Sequence, residues 1–175
     1  MSIFYVADTH FFHANVIKYC PVSRGQCNNV EEMNEKIISA INSKVSENDT
    51  LYHLGDFAFA NIQKSISILE RINCKTKILV AGNHDHKLIK NSEFTKYFQQ
   101  ILPYHEIRVD NQFIIMSHYP ILSWNGMERG SIHLHGHTHN TLKYHDKALD
   151  VGIDGRTDLS PWEHSEVINF VNSTL

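Results

Sequence analysis

The chain is predicted to be an α/β fold with a parallel sheet in its first half and an antiparallel-rich sheet in its second. Three observations support this. Up to Ala81, short apolar runs ending in turn residues or glycine alternate with helical patterns. From Glu106 to Ile153, strand-like runs follow one another with no helical period between them. A helix-start pattern then closes the chain.

The first-half strands are expected at Ile3 to Ala7, Thr50 to Leu54 and Lys77 to Ala81. Between the first two, Met33, Ile37, Ile38, Ile41 and Val45 recur at steps of three and four, lining one face of a helix over Glu31 to Ser46. Ile62, Ile66, Leu69 and Ile72 do the same in the next connection. Strand, helix, strand, helix, strand implies parallel pairing through right-handed crossovers. In the second half, Glu106 to Val109 and Gln112 to Ser117 flank Asp110-Asn111, a tight hairpin turn. Further strands are expected at Ser131 to His135 and Ala148 to Ile153. Ser160-Pro161-Trp162-Glu163 matches an N-cap, a proline at the first helical position and a glutamate three residues after the cap, opening a last helix through Val167, Ile168 and Val171.

With 175 residues, 42% hydrophobic and 20% charged, the expectation is one domain over residues 1–175. No segment approaches the roughly 18 uncharged apolar residues of a membrane span. The N-terminus reads as a strand rather than a secretion signal, so a cytoplasmic location is expected. Cys20, Cys27 and Cys74 are odd in number and lack C-x-x-C spacing, which indicates reduced thiols. A net charge of −3 argues against a face for duplex nucleic acid and leaves nucleic acid only as a substrate. Oligomeric state is left open.

Thirteen histidines, four of them in Ser131 to His139, raise the expectation of a metal site. Asp8-Thr9-His10 follows the first strand, Gly55-Asp56 the second and Gly82-Asn83-His84-Asp85 the third. Ligands in open α/β sheets bind beyond the carboxyl ends of strands, so these segments should converge. His118 in Ser117-His118-Tyr119-Pro120, together with His137 and His139 in Gly136-His137-Thr138-His139, joins them from the second half. Two carboxylates, one amide oxygen and four imidazoles suit Mn²⁺ first, then Fe²⁺, Zn²⁺, Ni²⁺ or Co²⁺, better than Ca²⁺. Seven ligands exceed one tetrahedral site, and two divalent ions sharing a carboxylate fit better.

These blocks, D-x-H, G-D, G-N-H, H and G-H-x-H, occur in order from Asp8 to His139, and the chain thereby resembles the calcineurin-like metallophosphoesterase family. The resemblance implies two packed β-sheets flanked by helices, a four-layer sandwich. It also implies that Asp8, His10 and His139 hold one metal, Asn83, His118 and His137 the other, and that Asp56 bridges them. His84 matches the family histidine that approaches substrate. The implied activity is hydrolysis of phosphomonoesters or phosphodiesters, nucleotides included, by hydroxide held between ions ~3.5–4 Å apart. Two alternatives are a nuclease and a catalytically silent metal-binding interaction module.

The protein serine/threonine phosphatase branch carries an arginine shortly after G-D, where this chain reads Phe57-Ala58-Phe59-Ala60-Asn61. That branch is disfavoured, and the short chain suggests an open cleft without a cap domain. His13 is a second substrate contact or, equally, part of a polar helix start with Asn15. Arg129, in the loop Trp124 to Gly130, is a candidate for holding a phosphate oxygen, with Trp124 stacking on a base; the bland alternative is a solvated loop with one packed tryptophan. Asp85 is expected to support its loop. His53, His105, His133 and His135 are assigned structural roles, and Asp150 to Asp154 no chemistry.

Overall fold

The alternation expected of the first half is present in the computed structural model, which describes residues 1–143 and 145–173. Strand β1 (Ile3–Val6) leads into two short helices, α1 (Val16–Tyr19) and α2 (Pro21–Arg24), and then into the long helix α3 (Val30–Lys44). Strand β2 (Thr50–His53), helix α4 (Ile62–Leu69) and strand β3 (Thr76–Val80) follow. A 3-10 turn over Asp85–Lys90 and helix α5 (Ser92–Thr95) then reach β4 (Gln100–Leu102). The second half supplies β5 (Tyr104–Val109), β6 (Gln112–Ser117), β7 (Ile132–His135), β8 (Ala148–Asp150), β9 (Trp162–Glu163) and α6 (His164–Ser173). Among the described residues the strands form a five-stranded sheet, β4-β3-β2-β1-β9, and a four-stranded sheet, β5-β6-β7-β8.

Local chemistry accounts for the main elements. Asn29 caps α3 by accepting from the Glu32 amide at 2.8 Å, and Glu31 and Glu32 in the first turn complement the helix dipole. Asn61 caps α4 in the same way through the Lys64 amide. Both residues of the Asp110-Asn111 turn have positive φ, 46° and 66°, as a two-residue hairpin turn of the favoured hand requires.

Alternation along the strands of the first sheet builds two cores. Phe4, Val6, Leu51 and Leu79 pack on Met33, Ile37 and Ile41 of α3 and on Ile68 and Leu69 of α4. On the opposite face, Tyr5, Tyr52 and Ile78 meet Ile114, Met116, Leu134 and Leu149 of the second sheet, with Val167 and Val171 of α6. The two sheets therefore sandwich an apolar layer, and β1, β2, β3, β6 and β7 end on a common side.

Three expectations are corrected. The second sheet is not antiparallel-rich, because only β5 and β6 pair antiparallel, whereas β6-β7 and β7-β8 are parallel. Connections 118–131 and 136–147 are long enough for the crossovers that parallel pairs need. Ser160 does not cap the last helix. Trp162 and Glu163 instead pair with Tyr5 and Phe4 and cover the edge of β1, whose backbone polar groups would otherwise lie unpaired. The helix starts at His164, where the Glu166 carboxylate accepts from the Glu163 amide at 2.9 Å, and the Ser160 hydroxyl donates to Asp158. Finally, the strand expected through Ile153 ends at Asp150, and Ile153–Gly155 form a 3-10 turn. Among the described residues no helix is long and apolar enough to cross a membrane.

Candidate metal centre

The loops after β1, β2, β3, β6 and β7 converge at the carboxyl ends of these strands. Their backbones are unusual: Asp8 (φ 56°), His10 (47°), Asp56 (58°), His137 (69°) and His139 (47°) all lie in the left-handed region. Such conformations are strained in residues with a Cβ and persist where the surroundings over-determine them, as at ligand sites. Glycine makes the close approach possible. A Cβ on Gly136 would lie 2.5 Å from both the Ala7 Cβ and Asp8 Oδ2, and one on Gly82 would collide with the Asp56 carboxylate.

Two donor groups result. Ligand atoms of Asp8, His10 and His139 lie within 4.8 Å of one another, as do those of Asp56, His118 and His137. Asn83 Oδ1 is 3.1 Å from His118 Nε2 and so sits beside the second group. Each carboxylate is divided in its use. Asp8 Oδ2 accepts from the His137 amide at 2.8 Å, leaving Oδ1 facing His10 Nε2 at 3.8 Å. Asp56 Oδ1 accepts from the His84 amide at 2.9 Å, and its Oδ2 lies 3.8 Å from His10 Nε2, 3.5 Å from His118 Nε2 and 3.8 Å from His84 Nε2.

The fit to metal can be judged from unmet bonding. Asp8 Oδ1 and both His10 ring nitrogens are buried without a hydrogen-bond partner. A buried polar group left in that state costs about 1–3 kcal/mol, so these atoms call for a partner that protein does not supply. Burial, with repulsion from Asp150 next, holds the Asp8 carboxyl well above the usual carboxylate range. Burial, helped by Arg24, pushes the His10 imidazole down to about 2, which keeps it in the neutral form that binds metal. His118 Nδ1 lies 2.8 Å from the Leu54 carbonyl, and the tautomer that donates there would leave Nε2, beside Asp56 and Asn83, free to bind a cation. Unpaired oxygen and neutral nitrogen donors around a common space fit divalent cations.

The family model for the calcineurin-like phosphoesterase superfamily domain matches residues 1–151. The chain belongs to this superfamily. It is accordingly a member of a metal-dependent group of hydrolases acting on phosphate esters. An uncharacterized protein, MJ1445, of Methanocaldococcus jannaschii is 41% identical over 88 residues, 48% of this chain and 47% of that protein, so the matched stretch is about half of that relative's length. The Gene 66 protein of Mycobacterium phage L5 is 26% identical across 87% of this chain and 86% of its own. A crystal structure of a protein of unknown function from Aquifex aeolicus, AQ665, superposes with a TM-score of 0.73 at 26% identity, covering 96% of this chain and 98% of that one.

In this superfamily member the donor loops are braced by residues outside the motif blocks. Asp85, expected to support its loop, accepts from the amides of Asp56, Phe57 and Gly82 at 2.8–2.9 Å and ties the β2 and β3 loops together. Arg24, fully buried, donates to the carbonyls of Asp8 and Thr9 at 2.6 and 3.0 Å and grips Asp154 through Nε and Nη2 at 2.7 and 2.6 Å. Asp154 Oδ2 in turn lies 2.7 Å from His139 Nδ1. That bond, with Cys20 beside it, pushes the His139 imidazole up to about 10. A cation at Nε2 would take the place of the extra proton there and leave Nδ1–H on Asp154, the orienting bond usual for metal-ligating histidine. Asp150 Oδ2 accepts from the Thr138 hydroxyl at 2.5 Å and the Asn140 amide at 2.9 Å, closing the loop that carries His137 and His139.

Sequence reasoning missed Arg24, Asp150 and Asp154. Asp154 offered one signal, an acidic residue just after a strand on the side where the motif blocks lie. Arg24 offered none, since it stands in a short helical turn without a motif.

His84 lies beside Asp56 with 43% of its side chain exposed. The His13 ring is 5.6 Å from that of His10 and stacks on Phe59. Arg129 is not brought to the centre. It lines a recess with Arg108 and Gln112 at the start of β6, the opposite end of that strand from His118. Trp124 is buried against His133 and donates to the Ser131 hydroxyl, the packed role rather than the stacking one. His53 is buried with both nitrogens paired, to the Thr9 hydroxyl and the Gly55 amide.

Proposed function

We propose that the protein is a dinuclear metal-dependent phosphoesterase that hydrolyses phosphomonoesters or phosphodiesters, nucleotides among them, with residues 1–175 acting as one domain. The observation that carries this reading is the place of Asp56. Its Oδ2 lies 3.8 Å from His10 Nε2 of one donor group and 3.5 Å from His118 Nε2 of the other. A carboxylate there offsets the repulsion between two cations held side by side.

On this reading Asp8, His10 and His139 hold one ion, Asn83, His118 and His137 the other, and Asp56 both. Mn²⁺ suits the mixed oxygen and imidazole donors, ahead of Fe²⁺, Zn²⁺, Ni²⁺ or Co²⁺. When bound, such a pair activates water as a nucleophile near neutral pH and clamps the oxygens of an in-line displacement.

The chain's own contributions are positional and protonic. The Asp8 and Asp56 carboxylates are each anchored by one backbone amide, so their free oxygens keep their aim without reorganising during the reaction. His84 belongs to neither donor group and is exposed beside Asp56. It is assigned to substrate, either stabilising charge on the transferring phosphoryl group or protonating the leaving oxygen.

The test reconstitutes the protein with Mn²⁺, Ni²⁺ and Mg²⁺ in turn and assays phosphomonoesters, cyclic and linear phosphodiesters, and dinucleotides. Two ions per chain together with turnover are expected. Two ions without turnover of any ester would replace this reading with a silent metal-binding module. Cleavage confined to oligonucleotides would make it a nuclease.

A further inference from the structure

Beside the donor groups lies a cleft of about 570 Å³, within the roughly 300–1,000 Å³ range of small-molecule sites. His10, His84 and His139 line it on the inner side, so it is continuous with the proposed metal centre. Its other wall is aromatic. Phe59 stacks on His13 with ring centroids 4.1 Å apart and planes at 13°, and Tyr19 meets His13 edge-on at 6.2 Å. The Phe59 ring is also 4.4 Å from that of His84.

This wall is held firmly yet left open. The Phe59 amide donates to the Phe11 carbonyl at 2.8 Å, next to a parallel bridge between Phe11 and Ala58, which anchors the segment to the one that carries His10. Phe59 is nonetheless 37% exposed and Tyr19 71%. Neither Lys nor Arg lines the cleft among the described residues, so it is not built for a second phosphate. Flat rings with no lysine or arginine among them suit an uncharged planar group, because stacking is available to any π-face.

We infer that this cleft is the subsite for a planar aromatic group, such as a nucleobase, carried on the leaving alcohol of the ester, with Phe59, His13 and Tyr19 as its specificity-determining wall. The inference deepens the phosphoesterase reading above and rests on it for the position of the phosphoryl group. His84, in contact with both Phe59 and Asp56, stands where the aromatic part and the phosphoryl part of such a substrate join.

The experiment compares adenosine 5′-monophosphate with ribose 5-phosphate, and the methyl phosphodiester of each, on the Mn²⁺-loaded protein. The leaving oxygens match within each pair, so the ratio of kcat/KM reads the cleft alone. Calorimetric titration of the same two monophosphates gives a binding ratio that needs no turnover. Adenosine compounds are expected to be favoured about tenfold or more in both ratios. Phe59→Leu should bring the ratios toward one, whereas Phe59→Tyr, which keeps a flat ring, should preserve them. Ratios near one in the unaltered protein, or full ratios in Phe59→Leu, would overturn the inference. Preferential binding that depends on Phe59, without hydrolysis of any ester, would support the subsite and count against the enzymatic reading.

Discussion

Asp154 Oδ2 lies 2.7 Å from His139 Nδ1, and the same carboxylate takes two bonds from the buried Arg24 guanidinium. A bond of this kind sets the tautomer and tilt of a ligating imidazole. Asp154→Ala should therefore lower Mn²⁺ affinity about 10- to 100-fold, read by calorimetric titration. Unchanged affinity would refute an orienting role for Asp154.

Arg24 should matter more for folding than its absence from any motif suggests. Breaking a buried pair costs about 3–5 kcal/mol, and here it would leave Asp154 with only His139 and Ser23 as side-chain partners. Arg24→Met should show a loss of that order in urea unfolding of the metal-free protein. The double variant Arg24→Met, Asp154→Leu should recover part of it, since no charge is then stranded. A single variant within about 0.5 kcal/mol of the unaltered protein, the range of ordinary surface substitutions, would contradict this.

Asp56 and His84 should separate metal binding from turnover. Asp56→Asn weakens the shared anion between the donor groups and is expected to abolish both activity and the pairing of metals, measured as ions bound per chain. His84→Ala is expected to lose turnover while retaining metal. An active Asp56→Asn protein would rule out the bridging assignment, and a metal-free His84→Ala protein would recast His84 as support for the donors.

His53 should make stability depend on pH. Burial, reinforced by His118, pushes its imidazole down to about 3, and the Gly55 amide already donates to its Nδ1. A folded pKa below the unfolded value of about 6.5 means the contribution is complete above that pH and is lost as pH falls toward 3. The stability advantage over His53→Gln should therefore shrink by about 1.4 kcal/mol per pH unit between pH 6 and pH 4. Urea unfolding in the presence of a chelator measures this. A pH-independent difference would show that His53 does not remain neutral.

Much of the architecture was legible because its signals are local. The helical stripe of Met33, Ile37 and Ile41, the strand runs that end in ligand blocks, and the Asp110-Asn111 turn each act within a few residues. The stripe, the strand runs and the turn follow from periodicity and turn chemistry. The convergence of Asp8, Asp56 and Asn83 follows instead from sheet topology, since ligands in open α/β sheets bind beyond the carboxyl ends of the strands.

Other features required the folded chain. Trp162 and Glu163 carry a sound helix-start pattern, yet the open edge of β1 claims them as a strand, because unpaired backbone groups there outweigh a cap. The parallel order of β6, β7 and β8 depended on where two long connections returned. Arg24 and Asp154 meet across 130 positions, and Phe59 meets His13 beside the bridge between Phe11 and Ala58. No short-range pattern records such meetings. Local pattern places the carboxylates and imidazoles at the strand ends, whereas which oxygen of each carboxylate is free, what braces each imidazole and what wall stands beside them depend on contacts between distant segments.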